Sequence, residues 1–92
     1  INSCAQTGEN CIINTNALVE HDCKIGNNCH ISTNAVLNGG VVVGDDCFLG
    51  SSSVTKENIQ INEKTIIGAG SLITKDIIKS GVYLGSPAKK VK

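Results

Sequence analysis

Aliphatic residues recur along this chain at every sixth position. Counting from Ile1, eleven of thirteen such positions hold Ile, Leu or Val, and the exceptions are Thr7 and Thr55. A generally small residue follows four positions after each of them, as Cys11 does after Thr7. A period of six matches neither an α-helix nor an alternating strand, but it fits one short strand and its corner. The pattern therefore predicts an all-β fold, a parallel β-helix of hexapeptide repeats.

Three six-residue units make one triangular coil, and the motif at Ile25–Ile31 returns eighteen residues later at Val43–Leu49. Coils of a β-helix stack about 4.8 Å apart, so residues one coil apart become vertical neighbours. The aliphatic residues then fill a continuous interior along the axis. Glycine often follows the aliphatic residue, and a corner at that slot predicts a positive φ at Gly8, Gly26, Gly44, Gly50 and Gly68.

The register of the repeat divides the chain into two parts. Residues 1–77 keep the period and predict a triangular prism of about five coils, the last of them incomplete. Residues 78–92 leave the period and predict a strand or loop that caps the prism, followed by a basic tail. Because the chain begins in register at Ile1, we expect it to be part of a longer protein.

The composition of the chain limits the kinds of function that it can have. Acidic and basic residues balance at eight each, so the charge predicts neither a nucleic acid nor a membrane surface as partner. No apolar run approaches the roughly 20 residues of a membrane span, and no signal peptide is visible. A reduced, cytoplasmic protein is the prediction.

The cysteines follow the repeat rather than a metal-binding motif. Cys11, Cys29 and Cys47 lie eighteen residues apart in the small inward slot, and Cys23 occupies the equivalent slot on another wall. This spacing predicts a ladder of small buried side chains. Cys4 lies outside the slot and has no assigned role. No metal site is predicted, because the histidines next to these cysteines point outward.

His21 is the first candidate for chemistry. It lies just past a corner, projects outward, and is flanked by Glu20 and Asp22. A carboxylate partner orients an imidazole, fixes its tautomer and raises its basicity, which are the requirements of a general base. The alternative is that the three residues are ordinary surface charge.

Gly39 lies eighteen residues after His21, so it is expected about 5 Å away on the next coil. A residue without Cβ lets a ligand approach the backbone, and a free amide there could bind a carbonyl oxygen with its developing charge. The alternative is a wide turn without function.

His30 lies half a coil from His21, so the two are expected to face apart on one chain. They could converge only across an interface between chains. In a trimer, a wall with His21 and Gly39 would meet a neighbour's wall with His30, then Ser51 and Ala69. The alternative is that His30 only packs in the contact between chains.

These residues together resemble a known family. The hexad repeat, Glu-His-Asp-Cys at 20–23, His30, Asn-Gly-Gly at 38–40 and Gly-Ser-Pro-Ala-Lys at 85–89 are similar to the family of sialic acid O-acetyltransferases and UDP-4-amino-sugar N-acetyltransferases. The resemblance covers the whole chain. It implies a homotrimer of left-handed parallel β-helices that uses acetyl-CoA and acts on a sugar or nucleotide sugar.

The resemblance also implies roles for single residues. His21 would be the base, Asp22 would raise its basicity, and Gly39 would donate its amide to the thioester carbonyl. His30 and the backbone of Ser51 and Ala69 would contact acetyl-CoA. Lys89 and Lys90 would contact the CoA phosphates. Family members carry an upstream domain that holds the nucleotide sugar, and none of these 92 residues corresponds to it, so N- and O-acetylation both stay open.

Three other functions are known for, or compatible with, a β-helix of this kind. A hexapeptide transferase for serine or a simple sugar would keep the role of His21 and change only the acceptor. A β-helical carbonic anhydrase needs three convergent histidines for zinc, and this chain has two. A structural or ice-binding solenoid would show threonine columns at intervals of eighteen residues, and only one pair of threonines, Thr15 and Thr33, has that spacing. Covalent catalysis by cysteine is disfavoured because the cysteines point inward.

Overall fold

A computed structural model describes residues 4–92, so residues 1–3 of the predicted repeat lie outside the described part. The prediction of an all-β, parallel stacked-coil fold is confirmed. Twelve short strands form three walls, and a terminal hairpin follows them. Their bounds are β1 Gln6–Thr7, β2 Ile12–Ile13, β3 Leu18–Val19, β4 Lys24–Ile25, β5 His30–Ile31, β6 Val36–Leu37, β7 Val42–Val43, β8 Phe48–Leu49, β9 Val54–Thr55, β10 Gln60–Ile61, β11 Thr65–Ile67, β12 Leu72–Ile73, β13 Gly81–Gly85 and β14 Ala88–Lys90.

Every third strand belongs to the same wall. Wall A contains β1, β4, β7 and β10, wall B contains β2, β5, β8 and β11, and wall C contains β3, β6, β9 and β12. Neighbouring strands within each wall are parallel and pair residues eighteen positions apart, as Lys24 pairs with Val42. Each wall therefore has four rungs, and β13 adds a fifth rung to wall B.

The interior is filled by the aliphatic slot and the small slot. Ile31, Leu37 and Leu49 are fully buried, while outward neighbours on the same strands, such as Phe48, stay exposed. Thr55 occupies the aliphatic slot at 0 % exposure. Its hydroxyl has no hydrogen-bond partner within residues 4–92, nor has that of Ser53 nearby. Thr65 and Ser71 are also buried, but their hydroxyl groups make hydrogen bonds with backbone groups.

The corners turn at a different residue from the one predicted. A left-handed backbone recurs at every sixth residue from Cys4 (φ 59°) to Gly70 (φ 70°), three positions after the aliphatic slot. Most residues there are Asn, Asp or Gly, the types that adopt this conformation most readily. The five glycines expected to have positive φ do not have it, so that prediction was wrong.

The glycines of the second slot are instead required by close packing between coils. A Cβ added at Gly44 would lie 2.6 Å from the backbone nitrogen of Glu63 on the next coil. A Cβ at Gly26 would similarly lie 2.9 Å from the carbonyl carbon of Gly44. Both glycines lie where wall A turns into wall B, which we call the A/B edge. On the edge between walls C and A, the same slot holds larger residues such as Lys56.

Replacing Gly44 by alanine is expected to destabilise the fold by about 1–3 kcal/mol, because backbone atoms of the next coil must move to admit the methyl group. Lys56→Ala is the matched control in the same slot, and it should stay within about 0.5 kcal/mol of the wild type. The urea concentration at half-unfolding measures both. Gly44→Asn separates the two explanations, since a need for positive φ would tolerate asparagine, whereas close packing would not.

The cysteines form the predicted inward column and also make hydrogen bonds. Cys23, Cys29 and Cys47 are buried, Cys11 is half-buried, and Cys4 is exposed. The Cys29 thiol donates to the carbonyl oxygen of Gly44 at 3.1 Å, and Cys47 donates to that of Asn62 at 3.1 Å. The small slot thus uses cysteine to satisfy corner carbonyl groups of the next coil.

The C-terminal residues leave the repeat as expected and form a hairpin. Strand β13 is parallel to β11, and β14 returns antiparallel to β13 with Tyr83 opposite Lys90. The side chain of Tyr83 is partly buried, and its hydroxyl donates to the carbonyl oxygen of Lys79 at 2.7 Å. The hairpin therefore extends wall B beyond the last coil. No helix within residues 4–92 is long and apolar enough to cross a membrane.

Candidate active site

The candidate site lies on the edge where wall C turns into wall A, which we call the C/A edge. Strand β3 ends at Val19 and β4 begins at Lys24, so Glu20, His21 and Asp22 fall at this corner. Asp22 is the left-handed residue of the corner, with φ 62°. The corner thus places a histidine and a carboxylate side by side on the surface of the prism.

The His21 imidazole is oriented by its neighbour. Its Nδ1 lies 3.2 Å from Oδ2 of Asp22, and the two side chains are 62 % and 65 % exposed. A carboxylate only accepts a hydrogen bond, so Nδ1 carries the proton. The other ring nitrogen, Nε2, then presents its lone pair, which is the tautomer that a general base requires.

Gly39 lies directly beside the His21 ring on the next coil. A Cβ added at Gly39 would lie 2.6 Å from Nε2 and 2.7 Å from Cε1 of His21. The backbone confirms the stacking, because the Gly40 amide donates to the His21 carbonyl oxygen at 3.0 Å. The predicted vertical pairing of positions 21 and 39 is therefore confirmed. Gly39 is also the only glycine in its slot of the repeat, so a side chain is absent only where the histidine stacks.

The Gly39 amide is available to a ligand. Within residues 4–92 no acceptor takes this N–H, whereas the Gly39 carbonyl oxygen accepts from the Asn58 amide at 2.9 Å. The A/B edge differs, because the amides of Glu9 and Asn27 there donate to side-chain oxygens of the next coil, both at 2.8 Å. An amide N–H without an acceptor, beside an oriented imidazole, can stabilise an oxyanion.

Glu20 is the third acidic candidate and differs from Asp22. It is half-buried at the start of the corner, and its backbone amide donates to the Leu37 carbonyl oxygen at 2.9 Å. Burial raises the pKa of the Cys23 thiol, and the negative charge of Glu20 adds to this in the same direction. The histidine contact belongs to Asp22, so the structure connects Asp22 rather than Glu20 to the imidazole.

His30 lies on wall B, away from His21, as expected for one chain. Its Nε2 lies 3.0 Å from the Asn14 side-chain nitrogen, so Nε2 accepts from the amide and Nδ1 carries the proton. Its ring packs edge-on against Phe48, with centroids 5.1 Å apart. Sequence reasoning missed both neighbours. The spacing of eighteen residues would have found Phe48, whereas Asn14 reaches His30 diagonally from the adjacent rung, two residues beyond Ile12, the strand partner of His30.

The remaining candidates are spread along the prism. Ser51 and Ala69 lie exposed at successive corners where wall B turns into wall C. Their amides, like that of Gly39, have no acceptor within the described chain, which suits the predicted backbone contacts. Lys89 and Lys90 lie on β14 at the C-terminal end. Within one chain the structure brings together only His21, Asp22 and Gly39.

The thiols do not join this site. Burial raises the pKa of the Cys23 thiol, and the pKa of Cys29 is raised by the adjacent Cys47 thiol and by burial. A buried thiol with a raised pKa is a poor nucleophile. Within the described residues, no group of three or more His, Cys, Asp and Glu side chains gathers to hold a metal ion.

Several solved structures of acetyltransferases have the same fold as this chain. The chain is 39% identical to GDP-perosamine N-acetyl transferase from Caulobacter crescentus, with a TM-score of 0.95 over 97% of this chain and 42% of that one. It is 31% identical to the acetyltransferase domain of PglB from Neisseria gonorrhoeae, with a TM-score of 0.88 over 95% and 44%. It is 28% identical to serine acetyltransferase from Neisseria gonorrhoeae, with a TM-score of 0.90 over 96% and 38%.

The chain spans less than half the length of each of these three proteins. The first two agree with the resemblance drawn from the residues, and no curated protein sequence matches this chain. The family model described as bacterial transferase hexapeptide (six repeats) matches residues 4–39 and 40–75. The chain therefore belongs to the bacterial transferase hexapeptide family, whose repeat accounts for nearly all of its prism.

Proposed function

We propose that the chain transfers an acetyl group from acetyl-CoA to an amine or hydroxyl of a sugar or nucleotide sugar, at the C/A edge. The observation that carries the proposal is the His21 ring stacked on Gly39, whose amide has no acceptor within residues 4–92. This stacking supports a proton acceptor and an oxyanion donor on adjacent rungs, the two groups that acyl transfer requires.

The reaction follows from that arrangement. His21 Nε2 takes the proton of the acceptor amine or hydroxyl as its nitrogen or oxygen attacks the thioester carbon. The carbonyl oxygen becomes negative, and the Gly39 amide stabilises it. The carbon–sulfur bond then breaks, and the imidazolium returns the proton to the leaving thiolate of CoA. Asp22 holds the ring in place and stabilises its charged form while the proton is held.

The comparisons support acetyl-CoA as donor and a sugar amine as acceptor. The Caulobacter structure is a histidine-to-alanine mutant in complex with CoA and GDP-perosamine. Serine acetyltransferases also match, so serine is the second candidate acceptor. The test is an acetyl-transfer assay read by mass spectrometry, with nucleotide-linked amino sugars, sialic acid and serine as acceptors. Acetylation of serine alone would replace the sugar proposal, and no acetylation of any acceptor would refute the function.

A homotrimer completes the proposal. The outward column of wall B is apolar except at His30, with exposures of 52 % for Ile12, 38 % for Phe48 and 46 % for Ile66. An exposed apolar surface of this kind marks a contact between proteins, and we assign it to a second copy of this chain. In a trimer, wall B would bring His30 to a partner's C/A edge and form a groove for acetyl-CoA. Free cysteines throughout the described chain suit a reduced, cytoplasmic setting.

Replacing Phe48 and Ile66 together by aspartate is expected to give a monomer that no longer binds acetyl-CoA measurably, because half of the groove is lost. Sedimentation velocity gives the mass, and calorimetry gives the binding. The matched control is Val42→Asp on wall A, where the exposed apolar side chain lies outside the proposed contact. Tight acetyl-CoA binding by a monomer would contradict a site between chains.

A further inference from the structure

The peptide group between Asn38 and Gly39 contains the proposed oxyanion donor, and its carbonyl oxygen is held by a buried thiol. Cys23 donates to the Asn38 carbonyl oxygen, with Sγ 3.1 Å away. The Leu37 carbonyl oxygen is a more distant acceptor for the same thiol, at 3.8 Å. No backbone amide within residues 4–92 donates to the Asn38 carbonyl oxygen. The Cys23 thiol is therefore its hydrogen-bond partner in the described chain.

This hydrogen bond determines the direction of the Gly39 amide. The Asn38–Gly39 peptide bond is trans, so its C=O and N–H groups point in opposite directions. The carbonyl oxygen faces the Cys23 thiol, and Cys23 is 0 % exposed in the interior of the prism. The Gly39 N–H consequently points away from the interior, toward the side from which a thioester could approach.

The peptide group on the other side of Gly39 is held by the same corner. The Gly40 amide donates to the His21 carbonyl oxygen at 3.0 Å. The corner at residues 20–23 thus bonds to both peptide groups that flank the Gly39 Cα. Glycine has the widest choice of backbone conformations. Two anchored peptide groups are therefore needed to keep its amide in one orientation, and the Cys23 thiol supplies one of the two anchors.

The environment of the thiol keeps it a donor. Burial raises the pKa of Cys23, and the negative charge of Glu20 acts in the same direction. The sulfur therefore retains its proton at neutral pH, and a protonated thiol can donate a weak hydrogen bond. A thiolate would instead repel the Asn38 carbonyl oxygen.

The position of this thiol within the repeat coincides with the position of Gly39. The inward column that contains it consists of Ala5, Cys23, Val41, Ile59 and Ile77. Cys23 is the one member of this column whose side chain can donate a hydrogen bond. The C/A edge thus has a thiol donor only at the corner next to Gly39, which is itself the only glycine of its slot. Two departures from the repeat meet at one peptide group.

We propose that Cys23 is a positioning residue for acetyl transfer, whose thiol holds the Asn38 carbonyl oxygen and thereby aims the Gly39 amide at the oxyanion. The proposal rests on the proposed function. Cys23 touches neither substrate and forms no covalent bond during the reaction, because it acts only through the peptide group. The alternative is that Cys23 only fills the interior and satisfies a carbonyl group, as Cys29 does at the A/B edge.

The first test compares Cys23→Ala with Cys29→Ala. Cys23→Ala should lower kcat about tenfold at nearly unchanged KM for acetyl-CoA, a part of the 10²–10³-fold loss that removal of a whole oxyanion donor causes. Cys29→Ala is the matched control, because its thiol donates to the Gly44 carbonyl oxygen at the same distance of 3.1 Å. It should lower the urea midpoint by a similar amount at wild-type kcat. An equal kcat in the two variants would overturn the proposal.

Two further substitutions at position 23 separate the hydrogen bond from packing. Cys23→Ser keeps a donor and should recover most of the wild-type kcat. Cys23→Val removes the donor but keeps the volume, and the same column already holds Val41. If Cys23→Ala does not fold, the comparison of serine with valine decides. A serine variant as slow as the valine variant would show that the hydrogen bond is not what matters.

The last measurement requires no turnover. The amide proton and nitrogen chemical shifts of Gly39 should change in Cys23→Ala and stay nearly constant in Cys29→Ala. Unchanged Gly39 shifts in Cys23→Ala would overturn the positioning role, whatever the activity. A wild-type chain that acetylates no acceptor would instead refute the proposed function. An active chain whose Cys23→Ala variant keeps the wild-type kcat would overturn this inference and leave the acetyltransferase function standing.

Discussion

Replacing His21 by alanine is expected to lower kcat for acetyl transfer by about 10²–10⁴-fold, the usual contribution of a general base. The imidazole is 62 % exposed and contacts Asp22, so its loss removes a proton acceptor and little packing. Steady-state kinetics at saturating acetyl-CoA measure the change. The urea midpoint should stay close to that of the wild type.

The control for His21→Ala is Glu9→Ala. Glu9 occupies the same slot of the repeat, is exposed, and lies on the A/B edge. Its replacement should leave kcat unchanged. Asp22→Asn should give an intermediate loss, because the amide can still contact the ring but no longer offers a charge to the imidazolium. If His21→Ala turns over like the wild type, the base lies elsewhere.

Replacing Gly39 by alanine is expected to lower kcat by about 10²-fold, the cost of displacing a reacting group by roughly 1 Å. The added methyl would overlap Nε2 and Cε1 of His21, so the ring must turn away. The same methyl would obstruct the approach of a thioester to the amide. Stability should change little, because an exposed ring can move.

Gly70→Ala is the matched control for this substitution. A Cβ there meets nothing within 4 Å, but φ is +70°. It should therefore cost about 1–2 kcal/mol in unfolding free energy and leave kcat unchanged. The double variant His21→Ala/Gly39→Ala gives a further check. Because the clash with the ring disappears once His21 is alanine, the double variant should lose less than the sum of the two single losses in activation free energy. Wild-type kcat for Gly39→Ala would show that the amide and the ring do not act together.

The walls and their register could be predicted from the sequence because one physical rule governs them. An aliphatic residue at every sixth position can be buried only if each unit is a strand and a corner, and this fixes which residues stack. The pairing of His21 with Gly39 follows from that rule alone. The exposure of His21, and the inward direction of Cys29 and Cys47, follow in the same way.

The backbone conformation of the corners could not be predicted in the same way. Glycine serves either a positive φ or a close approach of backbones, and its identity does not reveal which. Gly26 and Gly44 serve the close approach, while residues such as Asn28 and Asp46 take the left-handed backbone. The recurrence of Asn and Asp three positions after the aliphatic slot carried that information.

Contacts that leave the vertical columns could not be predicted either. Asn14 reaches His30 diagonally, and the hairpin lysines approach Lys75 only after the chain has left the repeat. A period specifies neighbours within a column, whereas side-chain reach and hairpin geometry decide these contacts. The acceptor substrate could not be predicted either, because the same repeat occurs in sugar and in serine acetyltransferases.

The most direct test is a crystal structure with a non-hydrolysable acetyl-CoA analogue bound. We expect the carbonyl oxygen of the analogue to lie about 2.7–3.1 Å from the Gly39 nitrogen. His21 Nε2 should face the same carbonyl carbon from the acceptor side. An analogue whose carbonyl group binds away from the C/A edge would contradict the proposed site.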